Sequence, residues 1–130
     1  MSSRKSVTYQ ECMGNIQTYI KRPENLEMIE KAYQFANKCH EGQFRKSGEP
    51  YVVHVIEVAN TLALLHTSPK TIAAGFLHDT VEDCQGVTNE TIQEMFGEEI
   101  SQIGDAVTKI GNIKFQDERE YLASNHRKLF

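Results

Sequence analysis

The chain has 130 residues, 39% hydrophobic and 25% charged, with a net charge of −4 at pH 7, enough for one domain with its own core. No apolar run approaches the ~20 residues of a membrane span, no broad basic face is offered to nucleic acid, and the start Met1-Ser-Ser-Arg-Lys-Ser lacks the apolar segment of a secretory signal. The three cysteines, Cys12, Cys39 and Cys84, are odd in number, widely spaced and without a Cys-x-x-Cys pair, so a reduced cytoplasmic protein with small buried or half-buried thiols is expected.

The Val/Ile/Thr alternation that marks strands is nowhere sustained, and an all-α fold is predicted. The first helix is placed over Thr8 to Ile20, punctuated by Pro23. The second runs from near Glu24 to His40, with Leu26, Ile29, Tyr33 and Ala36 on one face. Gly42 to Pro50 reads as a loop, with two glycines, a proline and the adjacent bases Arg45 and Lys46. A third helix takes Tyr51 to Leu65, apolar except for His54, Glu57, Asn60 and Thr61. Ser68 as N-cap and Pro69 at the first helical position open a fourth, predicted to run to about Asp83, with Gly86 closing the turn. Thr88 caps a fifth helix carrying Ile92, Met95 and Phe96, which Gly97 breaks. A sixth carries Ile100, Ile103, Val107 and Ile110. A polar stretch from Gly111 to about Asp117 leads to a last helical segment reaching Phe130. The ending Leu129-Phe130 is apolar and uncapped, so residues 1–130 are expected to form one domain, cut short at its C-terminal side.

The chemistry concentrates in His78-Asp79-Thr80-Val81-Glu82-Asp83, which ends the apolar run Ile72 to Leu77. On a continuous helix, residues four apart share a face, so His78 would stack with Glu82 and Asp79 with Asp83. Three acids beside one imidazole repel each other unless a positive charge sits among them, and a divalent cation meets that need. His54, between Val53 and Val55, reads as a satisfied core histidine when taken alone. Beside a second helix carrying His78-Asp79 it becomes the third ligand, since a metal site draws on more than one element. Glu82 and Asp83 are either solvated acids at a helix end or a pair free for acid–base work; a helix C-terminus disfavours acids, which favours the second reading. Arg45 and Lys46 are equally an exposed pair or ligands for phosphate and a planar base. His40, His66 and His126 are placed on the surface.

Several motifs in order carry a specific resemblance. They are His40-Glu41-Gly42-Gln43-Phe44-Arg45-Lys46-Ser47-Gly48-Glu49-Pro50-Tyr51, then His54, then Ala73-Ala74-Gly75-Phe76-Leu77-His78-Asp79-Thr80-Val81-Glu82-Asp83. Phe96-Gly97-Glu98-Glu99, Val107-Thr108-Lys109 and Asn125-His126-Arg127-Lys128 follow. From about Leu26 onward the chain resembles the N-terminal hydrolase domain of the RelA/SpoT family, the long bacterial enzymes that make and destroy the stringent-response alarmone (p)ppGpp. That domain belongs to the HD phosphohydrolase superfamily.

The resemblance implies an all-α HD-type helical bundle with Mn²⁺ on His54, His78, Asp79 and a later aspartate. It implies that Glu82 and Asp83 position and activate the attacking water, and that Arg45, Lys46 and Ser47 hold the guanine nucleotide. The reaction implied is Mn²⁺-assisted removal of pyrophosphate from the 3′ position of (p)ppGpp, giving GDP or GTP. Val55 stands where the family often has proline, and Ala106 where it usually has glycine; neither touches an implied ligand. The fourth ligand is expected beyond Phe130, and no synthetase half is present. The 130 residues alone are therefore expected to bind Mn²⁺ weakly or not at all and to show little hydrolysis, with apolar surface near Ile113, Phe115, Leu122 and Leu129-Phe130 mobile or packed against a second copy of the chain. The rival readings are an HD phosphohydrolase of another nucleotide and a non-catalytic regulatory or partner-binding module. Arg45-Lys46-Ser47-Gly48 speaks against the first and the intact His-Asp-x-x-Glu-Asp against the second.

Overall fold

The computed structural model describes residues 6–107. Its helices are α1 (Tyr9–Gln17), α2 (Pro23–Cys39), α3 (Tyr51–Leu64), α4 (Pro69–Leu77), α5 (Thr80–Asp83) and α6 (Asn89–Phe96). Helical backbone continues over residues 98–107. Among the described residues there is no strand, only an isolated antiparallel bridge between Phe44 and Pro50. No helix among them is long and apolar enough to cross a membrane. The all-α prediction holds, and the tail from Thr108 onward, with Ile113, Phe115, Leu122, Leu129, Phe130 and His126, lies outside the described residues.

Local chemistry accounts for the helix starts. Thr8 and Glu11 form a reciprocal capping box at α1. Pro23 occupies the start of α2, where its missing N–H costs nothing, so it begins that helix as well as separating it from α1. Ser68 accepts from Thr71 N before Pro69 opens α4, and Thr88 accepts from Thr91 N at α6. Gly97 has φ 103, a left-handed conformation that suits glycine and stops α6.

α2 packs on α4, and α3 packs on both α1 and α4. Phe76, Ile16, Ile29, Ile72, Ile100 and Val55 are the largest apolar side chains fully buried between them. Tyr9 stacks on Tyr33 at 3.7 Å, and both meet Phe76 at an angle, 6.2 and 5.6 Å between ring centroids. Asn15 Nδ2 donates to the buried Asn60 Oδ1 at 2.8 Å, pairing the polar groups that α1 and α3 bring together. At Gly75, α4 approaches α3 so closely that a Cβ would meet Leu62 Cδ1 at 2.5 Å. That approach brings the helix of His54 beside the helix that ends at His78.

The structure corrects the fourth helix. It does not run to Asp83; α4 stops at Leu77 and α5 begins afresh at Thr80. Two carbonyls at the end of α4 are taken by side chains: His78 Nδ1 bonds to Gly75 O at 2.7 Å, and Thr80 Oγ1 donates to Leu77 O at 2.8 Å. Asp79 sits at φ −97, ψ −5, off the regular helix. The single uninterrupted helix therefore fails, although Asp83 N still bonds Asp79 O at 2.9 Å and keeps Asp79 and Asp83 one turn apart. Side-chain competition for the carbonyls overrides the apolar periodicity that suggested one helix.

Candidate metal centre

His54 lies on α3, one turn after its start, and His78-Asp79 form the turn between α4 and α5. One ligand atom from each of these three residues lies within 4.8 Å of the others. His78 Nε2 is 3.1 Å from Asp79 Oδ2, and His54 Nε2 is 3.9 Å from the same oxygen. The break in the helix is what makes this possible: it turns consecutive residues, His78 and Asp79, toward His54.

The donor set fits a divalent cation. His78 gives its Nδ1 proton to Gly75 O, which leaves the Nε2 lone pair facing Asp79 and His54. Asp79 is 9% exposed, and its Oδ2 accepts from the Tyr51 hydroxyl at 2.6 Å. Burial would raise its pKa, but the hydrogen bond and charge of His78, with help from the Tyr51 hydroxyl and His54, hold it below the ordinary carboxylate value. Burial and the Arg45 guanidinium push the His54 pKa down, keeping that imidazole neutral, as a ligand must be. His78 goes the other way: burial lowers it, but the Asp79 hydrogen bond and charge, the Gly75 carbonyl and Glu82 together raise it above 6.5.

A pH dependence follows. The raised His78 pKa adds stability that is complete below 6.5 and fades as pH climbs through the folded value; the depressed Asp79 pKa adds stability present above 3.8 and lost on acidification through its folded value. A metal must displace the His78 proton. Divalent-metal affinity is therefore expected to rise with pH through the raised His78 pKa and level off above it, falling below it by about tenfold per pH unit for one displaced proton. Calorimetry in buffers of different ionisation heat checks this by counting the proton released.

Arg45 reaches the same centre. Its Nη1 donates to His54 Nδ1 at 3.2 Å, which in the neutral ring leaves the proton on Nε2, so coordination through Nε2 requires this contact to open and the proton to move to Nδ1. The loop that carries it is fixed by backbone bonds from Arg45 N to Glu49 O and from Gly48 N to Arg45 O, both 2.8 Å. Gly42 and Gly48 supply the left-handed turns, at φ 82 and 95. Lys46 and Ser47 are exposed farther round this loop. Glu82 and Asp83 are exposed in α5, not at the C-terminal end of a long helix. Glu82 lies near enough to His78, and Asp83 near enough to Tyr51, for their charges to raise those groups' pKa values. A cavity of about 210 Å³ opens beside them, bordered by His78, Glu82, Asn89, Ile100 and Asp105.

His40 is a correction: at 2% exposure it is not a surface residue. It caps α2 and stacks on Tyr51 at 4.7 Å. His66 is exposed, against Tyr19 at 4.2 Å. Two further residues reach the site without having been assigned a role from sequence. Tyr51 donates to Asp79 Oδ2 at 2.6 Å. Gln43 bonds His40 Nδ1 at 2.9 Å and donates to Asp83 O at 3.0 Å. The signal for Tyr51 was its position three residues before His54 on one helical face. Gln43 stands three residues after His40, but nothing in sequence joins it to Asp83.

A family model described as HD domain matches residues 32–129. Over 129 residues the chain is 42% identical to a guanosine-3′,5′-bis(diphosphate) 3′-pyrophosphohydrolase of Aquifex aeolicus, covering 99% of this chain and 18% of that protein. It is 43% identical over 108 residues to a GTP pyrophosphokinase of Myxococcus xanthus, covering 81% and 14%. It is 38% identical over 115 residues to the bifunctional (p)ppGpp synthase/hydrolase SpoT of Escherichia coli, covering 88% and 16%. The chain spans less than a fifth of the length of these curated relatives.

Proposed function

The chain belongs to the HD domain family, and from that premise we propose that it carries the hydrolase site of a (p)ppGpp 3′-pyrophosphohydrolase, converting (p)ppGpp and water to GDP or GTP and pyrophosphate. The observation that carries this reading is the meeting of His54, His78 and Asp79, ligand atoms within 4.8 Å, with Arg45 set against His54. The names of relatives such as those of Aquifex aeolicus and Escherichia coli supply the substrate.

His54, His78 and Asp79 hold the cation, which we take to be Mn²⁺. Two imidazoles and a carboxylate, with no thiolate, suit such a metal, and the RelA/SpoT resemblance favours it over its neighbours. When bound it lowers the pKa of water and offsets phosphoryl charge. Glu82 and Asp83, exposed beside the centre, orient the attacking water and take its proton. The water oxygen bonds to the 3′-linked phosphorus, the bond from that phosphorus to the 3′ oxygen breaks, and the 3′ oxygen receives a proton. Arg45 forks to phosphate or stacks on the guanine, with Lys46 and Ser47 completing the nucleotide loop. The free thiols of Cys12, Cys39 and Cys84 accord with the reducing cytoplasm, where this nucleotide would be met.

Arg45→Ala in the intact protein is expected to raise KM for ppGpp while kcat changes little, because the loop grips the nucleotide rather than the reacting bond. Steady-state kinetics decide: a collapsed kcat at constant KM would instead give Arg45 a role in stabilising transition-state charge. A substrate panel setting ppGpp against deoxynucleoside triphosphates tests the substrate class. Preferential turnover of the deoxynucleotides would favour an HD phosphohydrolase of another kind.

A further inference from the structure

Tyr51 is half-buried at the first position of α3. Its hydroxyl donates to Asp79 Oδ2, the same oxygen that faces the Nε2 atoms of His78 and His54. Its ring stands edge-on to His54, 5.5 Å between centroids, and stacks on His40 at 4.7 Å. His40 is in turn held by Gln43 through Nδ1, while its Nε2 is buried without a hydrogen-bond partner. The His40 ring thus serves as an aromatic wall behind Tyr51. Gln43 also donates to Cys39 O at 3.4 Å and to Asp83 O at 3.0 Å, which ties the wall to both α2 and α5.

We infer that Tyr51 is a positioning residue of the metal centre: braced by His40, its hydroxyl fixes the Asp79 carboxylate in the orientation that meets His54 and His78. Asp79 sits on a two-residue turn, and a ligating carboxylate needs an outer hydrogen bond to keep one orientation. The Tyr51 hydroxyl is a donor placed to do this.

The inference rests on the metal reading above, and the test separates the two. Co²⁺ serves as the probe, because its d–d absorption reports both affinity and ligand geometry, and the intact protein is titrated. Tyr51→Phe removes one oxygen and keeps the ring against His40. Its Co²⁺ affinity is expected to fall by about 10–100-fold, the usual cost of losing an outer-sphere partner, with an altered d–d band and an unchanged urea midpoint. Tyr9→Phe is the control: it removes another tyrosine hydroxyl bonded to a carboxylate, that of Glu30, outside the metal group. Its affinity and spectrum are expected to match the parent's. Parent-like affinity and spectrum in Tyr51→Phe, or equal losses in both variants, overturn the positioning role alone. If the parent takes up no Co²⁺, or His78→Ala takes it up as the parent does, the metal centre itself is wrong and the role of Tyr51 falls with it.

Discussion

Glu82→Gln and Asp83→Asn in the intact protein are each expected to cut ppGpp turnover by about 10²–10⁴-fold, the range of a lost general acid or base, while divalent metal stays bound. Both residues lie on α5, beyond the turn that carries His78 and Asp79. Neither belongs to the close group of ligand atoms. Both are exposed, where a water can reach them, and their charges act on His78 and Tyr51 at the edge of that group. The substitutions keep shape and hydrogen-bonding capacity but remove the ability to accept a proton. Metal analysis beside the kinetics separates the roles: a variant that loses its metal has lost a ligand, and the water-activating assignment for that residue would be wrong.

Phe76→Ala is expected to destabilise the domain by about 3–5 kcal/mol, the cost of deleting a buried phenyl ring from a close-packed core. Phe76 is fully buried. It meets the stacked pair Tyr9 and Tyr33, which α1 and α2 contribute, so its loss loosens three helices at once. Phe76 also precedes His78 by two residues, and the same cavity weakens the platform of the metal turn. Urea unfolding followed by circular dichroism measures the effect. A loss below about 1 kcal/mol would show that the tyrosine pair closes over the gap.

The helices that periodicity and caps both announce were legible in the sequence. Ser68-Pro69 and Thr88 mark the starts of α4 and α6, and Gly97 the end of α6, as read. The meeting of His54, His78 and Asp79 was legible as well, because two histidines with an acid on neighbouring apolar helices point to one shared site. What failed was the continuity of the fourth helix. Apolar spacing does not register that His78 and Thr80 bond the carbonyls of Gly75 and Leu77 in place of the next turn's amides. The three residues thus meet, but not for the expected reason: a turn, not a helical face, brings Asp79 round to His54. His40 was misplaced because a histidine at a helix end beside a basic loop looks solvated. Tyr51 stacks on its ring and Gln43 bonds its Nδ1 in the fold. Arg45 was left between surface charge and ligand by sequence alone. The 3.2 Å contact with His54 places it at the centre.

The central claim is that His54, His78 and Asp79 make a metal-dependent site that hydrolyses (p)ppGpp. Turnover of ppGpp by the intact protein, with products separated chromatographically in the presence of Mn²⁺, of chelator, and of Mn²⁺ with His78→Ala, tests it most directly. The expected result is GDP and pyrophosphate formed in equal amounts with Mn²⁺, abolished by chelation and absent in His78→Ala. Turnover that persists in the chelator or in His78→Ala would contradict the account, as would an intact, Mn²⁺-loaded protein that leaves ppGpp untouched.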